Sequence, residues 1–220
     1  MLFTHGRESY RRNSYLVTYM FYKNILYVIP IWFFGFYSNM SQTMIYNLFF
    51  YNYYNFFFTS MPIIQFASFD WEHSKEDLLK NPKFYKIGLQ NDYFNNWVFW
   101  QYFSQAIAQG IIILFFTVDS LESDYTNGMS TGLEVDGAGI YTIIILLANL
   151  KVVLKSHEWN FPMFFWSVGT IILYLLCFYT LNKLTWSDLL GVFSEIFRCM
   201  TFWFLLLLFV PGTSVVEWGV

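Results

Sequence analysis

The sequence predicts an all-α fold: a polytopic membrane protein built as a bundle of six transmembrane helices, with both termini cytoplasmic. Of its 220 residues, 56% are hydrophobic and 12% are charged, which is about half the charged fraction of a soluble domain. The apolar residues form six runs long enough to cross a bilayer, which takes about 20 residues. Nine of the 12 lysines and arginines fall on one side of these runs, and an excess of basic residues marks the cytoplasmic side.

Six spans follow an N-terminal cytoplasmic segment at 1–14, which is polar and basic. They lie within the transmembrane domain 15–220, at about 15–38, 44–66, 97–118, 137–155, 161–181 and 198–216. Loop 70–96 is long, polar and cytoplasmic, whereas the acidic, glycine-rich loop 120–137 faces outward or into a lumen. The half-apolar segment 182–197 is expected along the membrane interface. The basic residues counted as cytoplasmic are Arg7, Arg11, Arg12, Lys75, Lys80, Lys83, Lys86, Lys151 and Lys155.

Lys23 and Asn24 are polar residues in the middle of the first span. Lys23 lies eleven residues beyond Arg12, which places it roughly 16 Å into the membrane in a helix. A lysine at that depth costs about 2.5–3.5 kcal/mol, so we expect it to face the bundle interior or a wet cavity. Pro30 lies on the same face and frees the carbonyl of Leu26 from its helical hydrogen bond.

The second span repeats this pattern with Asn55, Thr59 and Pro62, which are spaced so that all three share one helical face. Pro62 frees the carbonyl of Phe58. A freed carbonyl at membrane depth must be buried in protein or line a cavity. We therefore expect kinks at both prolines and a polar seam between the first two spans, in which the Lys23 ammonium faces the Asn55 amide.

Structural interpretations of these residues stay open. Asparagine and threonine inside a membrane often only join helices, at about 0.6 kcal/mol for each hydrogen bond. Lys23 could snorkel or pair with a buried carbonyl, and the prolines could be ordinary kinks. Gln101, Gln105 and Gln109 form a further polar stripe in the third span, which we interpret as helix–helix packing.

Few other features point to chemistry. Cys177 and Cys199 lie in apolar runs and are interpreted as small hydrophobic residues, and no Cys/His cluster has the spacing of a metal site. The net charge of −3 does not favour nucleic acid as a partner. The sequence contains no phosphate-binding loop and no nucleophile elbow, so we predict no catalytic residue and no metal ligand in this chain.

Several ordered motifs resemble one family. HGRESYRR running into YKNI, then YNFFFTSMP, then FD and NPKFYKIG in the following loop are similar to one region of the type IV P-type ATPases. That region is the C-terminal membrane part, spans 5–10, of these phospholipid-translocating flippases. The resemblance covers most of residues 4–100, and the remainder matches in span count and spacing. Met61 stands where the family usually has leucine before the proline.

The resemblance implies a path for a phospholipid headgroup that includes Lys23, Asn24, Asn55 and Thr59. It also implies ATP and Mg²⁺ as cofactors of the full-length enzyme, in which phosphorylation of an aspartate drives the spans between two states. Members of the family commonly work with a two-span accessory subunit that contacts the outer loops. The expected location is the plasma membrane or an endomembrane.

The catalytic parts of the family lie upstream of the matching region. They are a D-K-T-G phosphorylation motif, an actuator domain and a nucleotide-binding domain, and this sequence holds none of them. We therefore expect a fragment, a partial gene model or a chain without the catalytic domains, and an enzyme only as part of a longer chain. Two alternatives stay open: a non-catalytic six-span subunit that keeps the fold, and a six-span secondary transporter or channel.

Overall fold

The computed structural model describes residues 2–73, 75–124, 132–184 and 187–218, and every regular element within these ranges is a helix. The predicted all-α class is confirmed for this part of the chain. The elements in order are α1 (Leu2–Tyr37), α2 (Leu48–Tyr53), a π turn (Tyr54–Phe58), α3 (Ser60–Phe69), α4 (Lys75–Lys80), a 3₁₀ turn (Pro82–Tyr85), α5 (Lys86–Gln90), α6 (Asn96–Asp124), α7 (Leu133–Lys155), α8 (Phe161–Lys183), α9 (Val192–Arg198) and α10 (Met200–Trp218).

Four helices are long and apolar enough to cross a membrane: His5–Tyr37 of α1, Asn96–Leu121 of α6, and the whole of α7 and α8. A fifth candidate is a bent pair, in which α9 and Met200–Gly212 of α10 meet at 72°. By length and composition, the described helices thus give four to five membrane spans, where the sequence predicts six. The predicted windows 97–118, 137–155 and 161–181 each fall inside one helix.

From Leu2 onward, the predicted cytoplasmic segment 1–14 is helical and continues directly into the first span as α1. Pro30 lies inside this helix and is buried. Helix α6 approaches α1 closely at this point, because a Cβ on Gly110 would lie 2.9 Å from the Ile29 side chain and 3.5 Å from the carbonyl oxygen of Leu26. The carbonyl that Pro30 frees is therefore buried against the backbone of α6.

The predicted second span, 44–66, is not one continuous helix. Helix α2 passes into the π turn, and the backbone leaves helical geometry at Thr59, with φ −135° and ψ −10°, before α3 begins. Pro62 explains the restart, because a proline is tolerated in the first turn of a helix but not in its interior. The window therefore contains two short helices joined by the π turn, which we call the broken segment.

The broken segment nonetheless runs antiparallel to α1. At one end Tyr46 stacks on Tyr27 with ring centroids 4.9 Å apart, and just beyond the other end Asp70 pairs with Arg11 at 2.8 Å. The stretch from Arg11 to Tyr27 covers about 24 Å of helix. The broken segment therefore crosses a comparable depth of the bundle, although no single helix within it is long enough to do so.

Helix α7 is the central helix, with 78% of its most apolar stretch buried, against 28% for α8. A Cβ on Gly137 would collide with the carbonyl oxygen of Ile45, so only glycine allows this approach of α7. Buried tyrosines fill the space between helices, and Tyr141 donates a hydrogen bond to the carbonyl of Phe50 at 2.8 Å. Such bonds satisfy polar groups where water is scarce.

Two predicted outer segments are described only in part. Residues 125–131 of loop 120–137, and residues 185–186 of segment 182–197, lie outside the described residues. The last part of segment 182–197 forms α9. Cys177 and Cys199 are half-buried.

Candidate functional site

A lysine and a threonine meet between α1 and the broken segment. Lys23 is fully buried, and its Nζ donates to Oγ1 of Thr59 at 2.9 Å. The Thr59 hydroxyl donates in turn to the carbonyl of Tyr54 at 2.9 Å. The Tyr54 hydroxyl donates back to the carbonyl of Lys23 at 3.0 Å. These three residues form a closed set of hydrogen bonds, and two of the four residues predicted for the headgroup path are thereby in contact.

The ammonium of Lys23 has donors left to offer. An ammonium carries three N–H donors, and among the residues that the structure describes Thr59 alone accepts a hydrogen bond from it. A buried charge that is held by a neutral group is costly, so an anionic group entering this place would lower the cost. The site is chemically suited to bind a phosphate or a carboxylate.

Asn24 and Asn55, the other two residues predicted for the path, are exposed. The expected contact between the Lys23 ammonium and the Asn55 amide is therefore wrong, because a hydroxyl takes that position. The π turn is the physical reason: its wider turn aligns Thr59 with Tyr54, five residues back, instead of with Asn55. Asn24 turns away because neighbouring residues of a helix point about 100° apart.

The carbonyl of Phe58, which Pro62 frees, accepts a hydrogen bond from a side chain of α7. Nδ2 of Asn149 donates to the carbonyl of Phe58 at 3.1 Å, and also to the carbonyl of Ile145 within its own helix at 3.0 Å. Asn149 is buried, and this side chain therefore supports the break in the second span. The sequence held one signal for it, a lone amide inside the apolar window 137–155.

The glutamine stripe of α6 contacts two other helices. Gln109 accepts a hydrogen bond from the hydroxyl of Tyr22 in α1, and Gln105 accepts one from Nζ of Lys151 in α7 at 2.8 Å. Both contacts agree with the packing interpretation of the stripe. Charge counting placed Lys151 among the cytoplasmic residues, but its side chain is inside the bundle and 3% exposed. The sequence does indicate this burial, because Lys151 lies inside the apolar window 137–155.

A cluster of buried charges lies near the start of α1. Arg7 pairs with Glu8 and, at 2.8 Å, with Glu72. Arg11 pairs with Glu8 at 3.1 Å and with Asp70 at 2.8 Å. Burial raises the pKa of Glu72, but the hydrogen bond and the charge of Arg7 outweigh burial and hold this pKa below its ordinary value. The cluster ties α1 to loop 70–96.

The second oxygen of Asp70 binds the loop between α7 and α8. Oδ1 accepts hydrogen bonds from the Ser156 hydroxyl at 3.0 Å and from the backbone N–H groups of His157 at 2.9 Å and Glu158 at 3.0 Å. Asp70 thus joins α1, loop 70–96 and the α7–α8 loop at one end of the bundle. No spacing pattern signals this link, because Arg11 and Ser156 lie 59 and 86 residues from Asp70 in the sequence.

Comparison with known proteins places this arrangement in a family. The family model described as phospholipid-translocating P-type ATPase C-terminal matches residues 1–219. The probable phospholipid-transporting ATPase 12 of Arabidopsis thaliana is 34% identical over 70% of this chain and 13% of that protein. The probable phospholipid-transporting ATPase 11 of the same plant is 29% identical over 100% of this chain and 19% of its own length. The phospholipid-transporting ATPase tat-1 of Caenorhabditis elegans is 29% identical over 96% of this chain and 19% of its own length.

The chain spans less than a fifth of the length of these three relatives. The family match covers nearly all of it, and the apolar helices of the described residues agree with a membrane region. The protein is therefore an integral membrane protein. It belongs to the family of phospholipid-translocating P-type ATPases and corresponds to their C-terminal membrane region.

Proposed function

We propose that this chain is the membrane-domain portion of a phospholipid-transporting P-type ATPase and carries part of the path of a phospholipid headgroup between the leaflets. The observation that carries the proposal is the fully buried ammonium of Lys23, held by Thr59 at 2.9 Å. The relatives are phospholipid-transporting ATPases by name, which supports this function over the two alternatives, a non-catalytic six-span subunit and a secondary transporter or channel.

Lys23 attracts the negative charge of the headgroup at a depth where the low dielectric strengthens the interaction. The exposed amides of Asn24 and Asn55 extend the path along the outside of the same two segments, while the acyl tails stay in lipid. The interruptions at Pro30 and Pro62 leave fewer helical hydrogen bonds to break when the segments move.

We also propose that the chain crosses the membrane six times, with both termini cytoplasmic. The broken segment supplies the second crossing, because its ends contact α1 at Tyr27 and Arg11, about 24 Å apart along that helix. The bent pair of α9 and α10 supplies the sixth. An even number of crossings agrees with the excess of basic residues on one side of the spans.

The remaining parts of the proposal lie outside this chain. Catalytic domains of the full-length enzyme would hydrolyse ATP with Mg²⁺ and drive the spans between two states. A two-span accessory subunit would contact the outer side, at loop 120–137 and segment 182–197. The full-length enzyme would reside in the plasma membrane or an endomembrane.

The proposal is tested by ATP hydrolysis of a full-length enzyme that contains this chain, purified and reconstituted in phospholipid vesicles. Lys23→Ala is expected to lower the lipid-stimulated rate at least about tenfold, because a hydrogen bond to a charged group contributes about 1.5–3 kcal/mol. Thr59→Val, which removes the acceptor that positions the ammonium, should lower the rate less. Thr59→Ser keeps a hydroxyl and should keep most of the rate.

Lys86→Ala is the matched control, because Lys86 is an exposed lysine at the start of α5. Formation of the phosphorylated enzyme from ATP, measured for every variant, separates a lost headgroup contact from a failure to fold. Lipid-stimulated turnover at the wild-type rate in Lys23→Ala would remove Lys23 from the headgroup path.

A further inference from the structure

A cavity of about 320 Å³, lined by both charged and aromatic side chains, lies among α1, α6 and α7, at the end of the bundle that carries loop 70–96. At about 30 Å³ per water molecule, it has room for about ten waters or for a hydrated phosphate group. The buried Lys151 lies at its inner end, and the exposed Lys155 and Asp92 lie at its mouth. Neither Lys23 nor Thr59 lines this cavity, so it is separate from the Lys23 site.

Two ammonium groups of α7 reach this cavity. Lys151 and Lys155 are one helical turn apart, so both side chains leave the same face of α7. Nζ of Lys151 donates to Oε1 of Gln105 at 2.8 Å and lies 3.8 Å from the ring centroid of Tyr22. The side chain of Lys155 is exposed at the mouth of the cavity.

The carboxylates around the cavity are engaged elsewhere or lie at its mouth. Glu72 pairs with Arg7 at 2.8 Å. Arg11, which also lines the cavity, pairs with Asp70 at 2.8 Å. Asp92 is exposed at the mouth. The inner part of the cavity, which the buried Lys151 lines, therefore favours an anion over a cation.

Two amides on α6 face these lysines. Oε1 of Gln105 accepts a hydrogen bond from Nζ of Lys151, so the NH₂ group of Gln105 points away from that ammonium. Gln101 lies one turn away on the cavity wall and is half-buried. Ammonium and amide donors from two facing helices suit a tetrahedral anion, which offers several acceptor oxygens.

We propose that this cavity binds a phosphate group, carried by a phospholipid headgroup or present as free phosphate. Lys151 holds it at the inner end, Lys155 at the mouth, and Gln101 and Gln105 along the wall. The site is distinct from the headgroup path at Lys23, and its existence does not depend on that path.

The experiment measures how fast Lys155 is acetylated by a water-soluble succinimidyl ester, with mass spectrometry of the purified chain in an uncharged detergent. One probe is inorganic phosphate, compared with chloride at equal ionic strength. The other is phosphatidylserine in mixed micelles, compared with dioleoylglycerol, which has no phosphate. Bound phosphate should slow acetylation of Lys155 about fivefold at roughly four times its Kd. The exposed loop lysines Lys83 and Lys86 should react at an unchanged rate.

Two variants connect the protection to the cavity. Lys151→Met should abolish protection of Lys155, because the ammonium at the inner end is lost. Gln101→Ala changes only the half-buried wall and should raise the probe concentration needed for half-protection at least about threefold. If Lys151→Met does not fold, the result for Gln101→Ala alone tests the proposal.

The outcomes separate the two sources of phosphate. Protection by inorganic phosphate assigns the site to free phosphate, and protection by phosphatidylserine alone assigns it to a headgroup. The proposal is overturned if neither probe slows acetylation of Lys155, if Lys83 is protected to the same degree, or if both variants keep the wild-type protection.

Discussion

Two buried lysines hold their charge inside this bundle by different contacts. Lys23 donates to the hydroxyl of Thr59, whereas Lys151 donates to the amide of Gln105 and lies over the ring of Tyr22. An aromatic face stabilises a desolvated cation by about 2 kcal/mol, and a hydroxyl offers only one neutral acceptor. The charge of Lys23 is therefore less well stabilised by its neighbours than the charge of Lys151. This difference favours Lys23 as the group that meets a headgroup inside the membrane.

Glu72 gives the charged end of the bundle a defined response to pH. Its pKa is held by Arg7 below the ordinary value of 4.5 despite burial. The unfolded chain therefore takes up the proton first as the pH falls. The stability that this carboxylate contributes is complete above about pH 4.5 and is lost as the pH falls through the lower pKa of the folded state. We expect the thermal unfolding midpoint of the wild type in detergent to fall more steeply below about pH 5 than that of Glu72→Gln.

Asp92→Asn provides the comparison for this measurement, because Asp92 is an exposed carboxylate near the same loop. Its midpoint should follow the wild-type profile. Parallel profiles for the wild type and Glu72→Gln would contradict the role of the Arg7 pair.

At the scale of elements, the π turn decides which residues of the second span face α1. A π turn inserts one residue into a helical turn, and Thr59 consequently bonds to the carbonyl of Tyr54. The break also leaves the carbonyl of Phe58 to a donor from another helix, Asn149. The irregular element is thus held by side chains of both α1 and α7, as membrane depth requires of a broken helix.

The bond between Asn149 and the Phe58 carbonyl can be isolated by a double-mutant cycle with Pro62. Asn149→Leu should destabilise the chain by about 1–3 kcal/mol, since it leaves a buried carbonyl without its donor. Pro62→Ala restores an N–H four residues after Phe58, and this group can take over the carbonyl. We therefore expect Asn149→Leu to cost less in the Pro62→Ala background, measured by unfolding in mixed micelles. An equal cost in both backgrounds would contradict the assignment of Asn149.

Two glycines of the central and neighbouring helices test how tightly α7 is packed. Gly137→Ala forces a Cβ into the carbonyl oxygen of Ile45 and should destabilise the chain by at least about 1–3 kcal/mol, because backbone cannot move aside cheaply. Gly169→Ala in α8 meets no atom within 4 Å and should be neutral or stabilising by up to about 1 kcal/mol. The two thermal unfolding midpoints are compared directly, and equal midpoints would show that α7 can shift away from Ile45.

At the scale of the whole molecule, the proposed crossing of the membrane by the broken segment can be tested from its two ends. Ser41 lies before it and Asp92 after it, and both are exposed. In a variant without Cys177 and Cys199, we expect Ser41→Cys to react with an impermeant maleimide from outside sealed vesicles. Asp92→Cys should react only after the vesicles are permeabilised. Labelling of both cysteines from the same side would instead indicate a re-entrant segment and five crossings.

The sequence by itself determined the class of this protein and several local features. The all-α class, the burial of Lys23 inside the bundle and the carbonyls freed by Pro30 and Pro62 all follow from composition and local stereochemistry. These properties depend on residues within a few positions of each other, so one sequence contains the information. The family also followed from ordered motifs within the first hundred residues.

Only the tertiary structure decided which groups meet. Thr59 replaces Asn55 at the ammonium because the π turn changes the rotation of the second segment by one residue. Lys151 faces inward, and Asn149 reaches Phe58, because α7 occupies the centre of the bundle. Such contacts join residues that are up to 91 positions apart. They depend on how packed helices are rotated relative to one another, and the spacing of residues along the chain does not determine that rotation.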